Sequence, residues 1–300
     1  MDKSLKYILD KIKDNNLIHY KKLNKNLMKL NADYFKRAEL FLSKYQHILA
    51  DNNLNLDYAI DSYLKMIASF NYETIRFIET GKYSNTSFED VNKNVYNNPE
   101  VMEYHMHGLL LSQFLWTHHY KILVYFNKVL QKYNGKINNY LEIGGGHGLY
   151  VCEAMQIIEN LSSIDLVDIS KTSIEMAEKM IGNDKVNYIL TDIFDYNPNK
   201  KYDFITMGEV LEHVEEPIEL LKKVASLLSE NGVLFITTPT NAPSIDHIYL
   251  FKNADEIREV IDKANLEVVS EISQYSEDVT EEIAEKFKIT MMYGATLLSK

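Results

Sequence analysis

The strongest constraint on this chain is a strand, a glycine turn and a helix in immediate succession within residues 138–168. A short apolar run, Tyr140 to Ile143, meets Gly144, Gly145, Gly146 and Gly148. A helical pattern then runs from Tyr150 to Glu159, with Val151, Ala154, Met155 and Ile158 at three- to four-residue spacing. Glycines in such a turn permit positive φ and leave bare backbone for a ligand to lie against, while the following helix offers unpaired N–H groups in its first turn. A second apolar run, Ile164 to Val167, ends in Asp168, roughly 20 residues past the glycines, where a carboxylate can hold a nucleoside ribose.

The spacing separates two adenosine-containing ligands. A dinucleotide fingerprint, G-x-G-x-x-G, needs its last glycine at position 149, which is Leu149. The order here is instead Glu142-x-Gly144-x-Gly146-x-Gly148. An acidic residue ahead of the glycines repels a pyrophosphate but can accept a hydrogen bond from the ammonium of an amino-acid moiety. The pattern resembles the S-adenosylmethionine-dependent methyltransferases with a Rossmann-like fold. That resemblance implies a cofactor site formed by Glu142, Gly144, Gly146, Gly148 and Asp168, with Ile169 and Gly208 beside it.

Composition sets the outer bounds. The 300 residues are 46% apolar, enough for two compact units, and no run of about 18 apolar residues suggests a membrane span. The stretch MDKSLKYILDKIKDNN has no signal-peptide apolar core, so a cytoplasmic location is expected. Cys152 is the single cysteine, which excludes an internal disulfide and a cysteine metal cage; it reads as a small core residue. The net charge of −11 divides unevenly: residues 1–136 hold 19 basic and 14 acidic side chains, residues 137–300 hold 13 and 29. This charge step coincides with the Asn134-Gly135 turn signal, which predicts a helical cap over 1–136 and a catalytic unit over 137–300.

The first unit reads as all helical. Leu5, Ile8, Leu9 and Ile12 share one face; Tyr34, Ala38, Phe41, Leu42, Tyr45 and Leu49 share another; Tyr58, Tyr63, Ile67, Phe70 and Ile75 suggest a third element ending at Gly81. After Pro99, at a first-turn position, one long helix or two in succession reach Asn134. That stretch holds Tyr104, His105, His107, Trp116, His118 and His119; none of these histidines is spaced i, i+4, so lining a pocket fits them better than ligating a metal.

In the second unit strands and helices alternate, as a parallel sheet requires. Val186 to Leu190 leads into Asp192 and Ile193, the positions at which the resembled family bonds the adenine amino group and packs on the ring. Asp203 to Met207 and Val233 to Pro239 follow as strands, with a helix from Pro217 to Leu228 between them; Leu266 to Ile272 and Ile289 to Leu298 complete seven, and the resemblance implies that the last pair is an antiparallel edge. The expected fold is α/β, a seven-stranded Rossmann-like methyltransferase sheet with an N-terminal helical cap.

Reacting groups should follow the fourth and fifth strands. If the turn at 208–214 is helical, Glu209, Glu212 and His213 stand on one side, and the loop through Asp246-His247 brings His247 to the same rim. The segment E-x-x-E-H resembles the ubiquinone-pathway O-methyltransferases and the small-RNA 3′-terminal 2′-O-methyltransferases, and Asp246-His247-Ile248-Tyr249 echoes the D-H-x-[FY] of the latter. The resemblance, covering roughly 138–275, implies a divalent metal (Mg, Mn, Fe or Zn) on Glu209, Glu212, His213 and His247. The alternative is a metal-free site with His213 as general base. Methyl transfer needs mainly alignment and the loss of one proton, so the motif does not name the acceptor. The expectation is O- or N-methylation of a small metabolite, oxygen favoured, without nucleic acid or membrane partners; a homodimer is a further option. RNA 2′-O-methylation, peptide or protein N-methylation and a non-catalytic cofactor-binding scaffold are the alternatives.

Overall fold

The computed structural model describes residues 3–300; Met1 and Asp2, the start of the stretch read for a leader, lie outside them. Seven helical segments come first: α1 (Lys3–Asn15), α2 (Leu17–Leu27), α3 (Ala32–Asp51), α4 (Leu56–Thr80), the short α5 (Phe88–Val91) running into a π-helical turn at Asn92–Tyr96, α6 (Pro99–Leu115) and α7 (Thr117–Tyr133). Asparagine caps four of them, Asn16, Asn31, Asn55 and Asn98 each accepting a backbone N–H from three residues on. Gly81 closes α4 in the left-handed conformation expected of it, and Pro99 opens α6. The stretch after Pro99 is two helices, broken at Trp116, whose extended backbone ends one and starts the other.

The expected faces of α1 and α3 are buried, whereas Ile75 of the α4 pattern is exposed. Burial along α4 has moved to Glu73 and Phe77, which meet Ser84 and Tyr83 of the loop that follows. Helix α6 is buried nearly all round and packs against α4 and α7. Its approach to α4 is set by Gly108, where an added Cβ would stand 2.9 Å from the Cβ of Met66. Gly108→Val is therefore expected to destabilise the protein by about 1–3 kcal/mol in urea titration; an unchanged midpoint would mean the two helices separate freely.

The remaining chain builds one sheet: β1 (Asn139–Ile143), α8 (Leu149–Ile157), β2 (Ser163–Asp168), α9 (Lys171–Ile181), β3 (Val186–Leu190), β4 (Tyr202–Gly208), a 3₁₀ turn (Leu211–His213), α10 (Pro217–Ala225), β5 (Leu228–Thr240), α11 (Ala254–Lys263), β6 (Leu266–Tyr275), α12 (Glu281–Lys286) and β7 (Met291–Ser299). Strand order is 3-2-1-4-5-7-6, with β1 to β5 parallel. The last two strands form the expected antiparallel pair at the edge, β7 lying between β5 and the edge strand β6 and running against both. Order reverses between β1 and β4, and the crevice at such a reversal is where open α/β sheets bind ligands. One sheet face joins the cap in a continuous apolar core with α7, α8 and α9; a second core on the opposite face holds α10 and α11. Cys152 sits in the first, its thiol pushed up by burial, as a packing residue would be. Among the described residues no helix is long and apolar enough to cross a membrane.

Within the cap, His107 is hydrogen-bonded to Tyr45 and burial pushes its imidazole down to about 4. The unfolded chain protonates this group below about 6.5 while the folded one does not, so its contribution to stability falls as pH drops from 6.5 to about 4. The cost of His107→Gln should therefore shrink by about 1.4 kcal/mol per pH unit across that window. A cost independent of pH would show that folding does not change the protonation of His107.

Candidate active site

A cavity of about 690 Å³ lies between the carboxyl ends of β1, β2 and β4 and the cap helices. Such a volume is ordinary for a small-ligand site. Glu142, Gly144, Gly146, Asp168, Ile169, Asp192, Ile193, Gly208, Glu209, His213 and His247 all line it. Two expected residues are placed otherwise. Gly148 is not on the wall: at φ +73° it precedes α8, and a Cβ there would meet Ile181 and Ala177, so its lack of a side chain serves the packing of α8 on α9. Glu212 is fully buried behind the wall.

The glycine loop divides its work. A Cβ on Gly144 would strike Val210 at 2.6 Å and one on Gly145 would strike Leu166 at 2.5 Å, so both admit neighbouring protein. Gly146, at φ +48°, faces open cavity, its Cβ position 3.6 Å from Met106 Sδ. It is the bare backbone against which a ligand can lie. The Gly146 N–H donates to one oxygen of Asp168 at 3.0 Å, and the Ser170 N–H donates to the other at 2.8 Å. These bonds fix the carboxylate at the end of β2 although burial pushes its pKa up. Glu142 accepts a 2.5 Å bond from the Tyr140 hydroxyl, and burial pushes it well above the usual carboxylate range. A buried carboxyl with one partner is suited to receive a cation.

The segment after β4 departs from the helical turn expected. Glu209 adopts φ +55°, its N–H donates to the Thr237 carbonyl, and its carboxylate accepts from Thr237 Oγ1 at 2.7 Å. Only Leu211–His213 form a 3₁₀ turn, and Glu209 precedes it with its carboxylate bonded to Thr237 of β5. Among the described residues Glu212, His213 and His247 are the group whose ligand atoms all lie within 4.8 Å of one another, and the expected four-residue set reduces to these three. Glu212 Oε1 stands 3.6 Å from His213 Nε2 and 3.9 Å from His247 Nε2. That oxygen is buried without a hydrogen-bond partner, while Oε2 is held by Thr238. His213 Nδ1 donates to the Asp246 carbonyl at 2.9 Å and lies 2.9 Å from the Tyr96 hydroxyl, which leaves Nε2 facing Glu212. Burial pushes His247 down to about 3, its neutral, ligating form. Burial and then repulsion from Glu209 push Glu212 well above the carboxylate range, and burial pushes Glu209 up to about 7. A carboxylate and two imidazoles around an orphaned buried oxygen match the donor set of a divalent first-row metal.

Other participants have roles that sequence reading did not assign. His105 of α6 reaches Asp246 at 3.6 Å, and Asp246 is fixed by Ser244 at 2.5 Å. The Asp246-His247 pair signalled the second residue but not this role of the first. Tyr96 comes from the π-helical turn, for which no sequence signal exists. His147 of the glycine loop lines the cavity, burial pushing it down to about 4. His105, Trp116, His118 and His119 line the cavity as their pattern suggested, while His107 is in the cap core.

A model of the methyltransferase domain family matches residues 118–271, from the first turns of α7 into β6. The chain belongs to that family. Curated methyltransferase relatives include malonyl-[acyl-carrier protein] O-methyltransferase 1 of Ilyobacter polytropus (strain ATCC 51220 / DSM 2926 / LMG 16218 / CuHBu1), 30% identical over 139 residues, 42% of this chain and 52% of that one. Another is the mitochondrial ubiquinone biosynthesis O-methyltransferase of Candida albicans, 34% identical over 104 residues, 33% of this chain and 31% of that one. The chain thus spans about half, or less, of the length of the curated relatives it matches. Among solved methyltransferases, the mitomycin 7-O-methyltransferase MmcR superposes with TM-score 0.54 at 13% identity over 77% of this chain and 68% of that one. The N-methyltransferase NodS from Bradyrhizobium japonicum, in complex with S-adenosyl-L-homocysteine, gives 0.51 at 12% over 71% and 98%. At these identities the likeness is one of fold, and it places the seven-stranded sheet among Rossmann-like methyltransferases.

Proposed function

We propose that this protein transfers a methyl group from S-adenosylmethionine to a hydroxyl of a small molecule bound beneath the cap. The observation that carries the reading is one shared cavity: the Glu142–Gly146 loop and Asp168 border the same space as His213 and His247. Gly146 leaves room for the amino-acid end of the cofactor, Glu142 supplies a counter-charge for its ammonium, and Asp168 accepts from the ribose hydroxyls. Asp192 and Ile193 border the adenine. The family relationship and the O-methyltransferases among the relatives support this choice of chemistry.

When bound, the cofactor would supply an electrophilic methyl on its sulfonium; the acceptor oxygen would form the O–CH₃ bond, the S–CH₃ electron pair would stay on the departing thioether, and the hydroxyl proton would be lost to solvent. Glu212, His213 and His247 would hold a divalent cation, which lowers the pKa of an acceptor hydroxyl. Asp246 and Tyr96 orient His213 through Nδ1. The cap helices exclude water from the space in which the charges of sulfonium and oxyanion are annihilated. A site roofed by α6 and Trp116 favours a small acceptor over a polynucleotide.

Release of S-adenosylhomocysteine from a panel of hydroxylated small acids, with and without chelator, tests the reading. Turnover abolished by chelator and restored by one divalent metal is expected. Turnover indifferent to chelator but lost in His213→Ala would instead assign His213 as general base, with no ion.

A further inference from the structure

The cavity wall is electrically divided. The loops of the sheet contribute seven carboxylates, among them Asp168, Glu209 and Asp246, and no lysine or arginine. The cap helices, among their described residues, contribute no carboxylate at all; their polar groups are amides, hydroxyls, imidazoles and Lys22. A site built only to receive the cationic cofactor has no need of a second wall of opposite character, so the partition points to an acceptor with its own negative charge.

The cap donors form a connected group. His19 Nε2 lies 2.7 Å from the Tyr63 hydroxyl, to which Trp116 Nε1 donates at 2.8 Å. His118 stacks on Trp116 with ring centroids 5.4 Å apart. Lys22, whose ammonium pairs with Glu277 at the rim, is near enough to both His19 and His118 that its charge, after burial, helps to hold their imidazoles below the ordinary range. From here an aromatic wall leads to the reacting end. Trp116 and Phe70 are 6.1 Å apart between centroids, Phe70 and His105 are 5.9 Å apart, and His105 reaches Asp246, which lies 3.7 Å from His213 Nδ1.

We propose that the acceptor is a planar ring compound carrying a carboxylate remote from its hydroxyl. The carboxylate is received by Lys22, His19 and His118, the ring lies on Phe70 and Trp116, and the hydroxyl is presented at His213 and His247. This rests on the methyl-transfer reading and adds the substrate class. Charge complementarity orients the molecule, since Lys22 is the one lysine or arginine among the described residues of the wall. The imidazoles, neutral in an empty buried pocket, become better donors as an anion arrives.

The test uses the full chain loaded with S-adenosylhomocysteine and calorimetry with a series of hydroxybenzoates and hydroxycinnamates, each beside its carboxamide. The expected result is binding of at least one acid roughly 10-fold or more tighter than its amide, the scale of a single charge-assisted hydrogen bond. In Lys22→Met and His118→Phe that preference should fall toward unity while S-adenosylhomocysteine affinity is retained, which also shows that the variants fold. Amides binding as well as acids, a preference unmoved in both variants, or no binding by any member of the series would overturn the inference while leaving methyl transfer standing. Failure of the wild-type chain to bind S-adenosylhomocysteine would remove the functional reading beneath it, and the inference with it.

Discussion

Asp168→Ala is expected to weaken S-adenosylhomocysteine binding by roughly 100-fold, since hydrogen bonds to a charged group contribute about 1.5–3 kcal/mol each. The effect has two sources. The ribose loses its acceptor, and the Gly146 N–H loses the 3.0 Å bond that ties the open part of the glycine loop to β2. Asp168→Asn separates them: a side-chain oxygen can still receive one backbone N–H, so its loss should be smaller. Titration calorimetry reads both, and equal affinities for wild type and the alanine variant would place the ribose elsewhere.

The second large effect is at Glu212. Glu212→Gln keeps the volume and a bond to Thr238, but removes the charge of the oxygen that both imidazoles face. Metal-assisted polarisation is worth several kcal/mol, so turnover should fall by on the order of 100- to 10,000-fold. Elemental analysis should show the bound ion lost, with cofactor affinity little changed. Glu209→Ala, by contrast, should keep the ion, because that carboxylate is held by Thr237 and is not among the three groups whose ligand atoms converge. Retention of a stoichiometric ion in Glu212→Gln, or its loss in Glu209→Ala, would redraw the centre.

These two residues also show what a sequence can and cannot disclose. The position of Asp168 at the end of β2 was legible because strand, glycine turn, helix and strand follow in one continuous stretch, and local periodicity fixes each element. Glu209 was misplaced because the pattern E-x-x-E-H fits a helix, while the backbone there takes φ +55° to pair with β5, a tertiary partner that propensity does not contain. His105 with Asp246 and Tyr96 with His213 join residues more than a hundred positions apart, and spacing along the chain carries no trace of such pairs. Gly148 matched a motif position yet serves helix packing, since a glycine pattern does not say which member faces ligand and which faces protein.

The central claim is that a glutamate-led glycine bend receives a sulfonium nucleoside and not a dinucleotide. Calorimetry of the purified chain against S-adenosylmethionine, S-adenosylhomocysteine and NAD tests it most directly. Saturable one-site binding of the first two and no heat from NAD is the predicted outcome; tight NAD binding with no response to either sulfur nucleoside would contradict it.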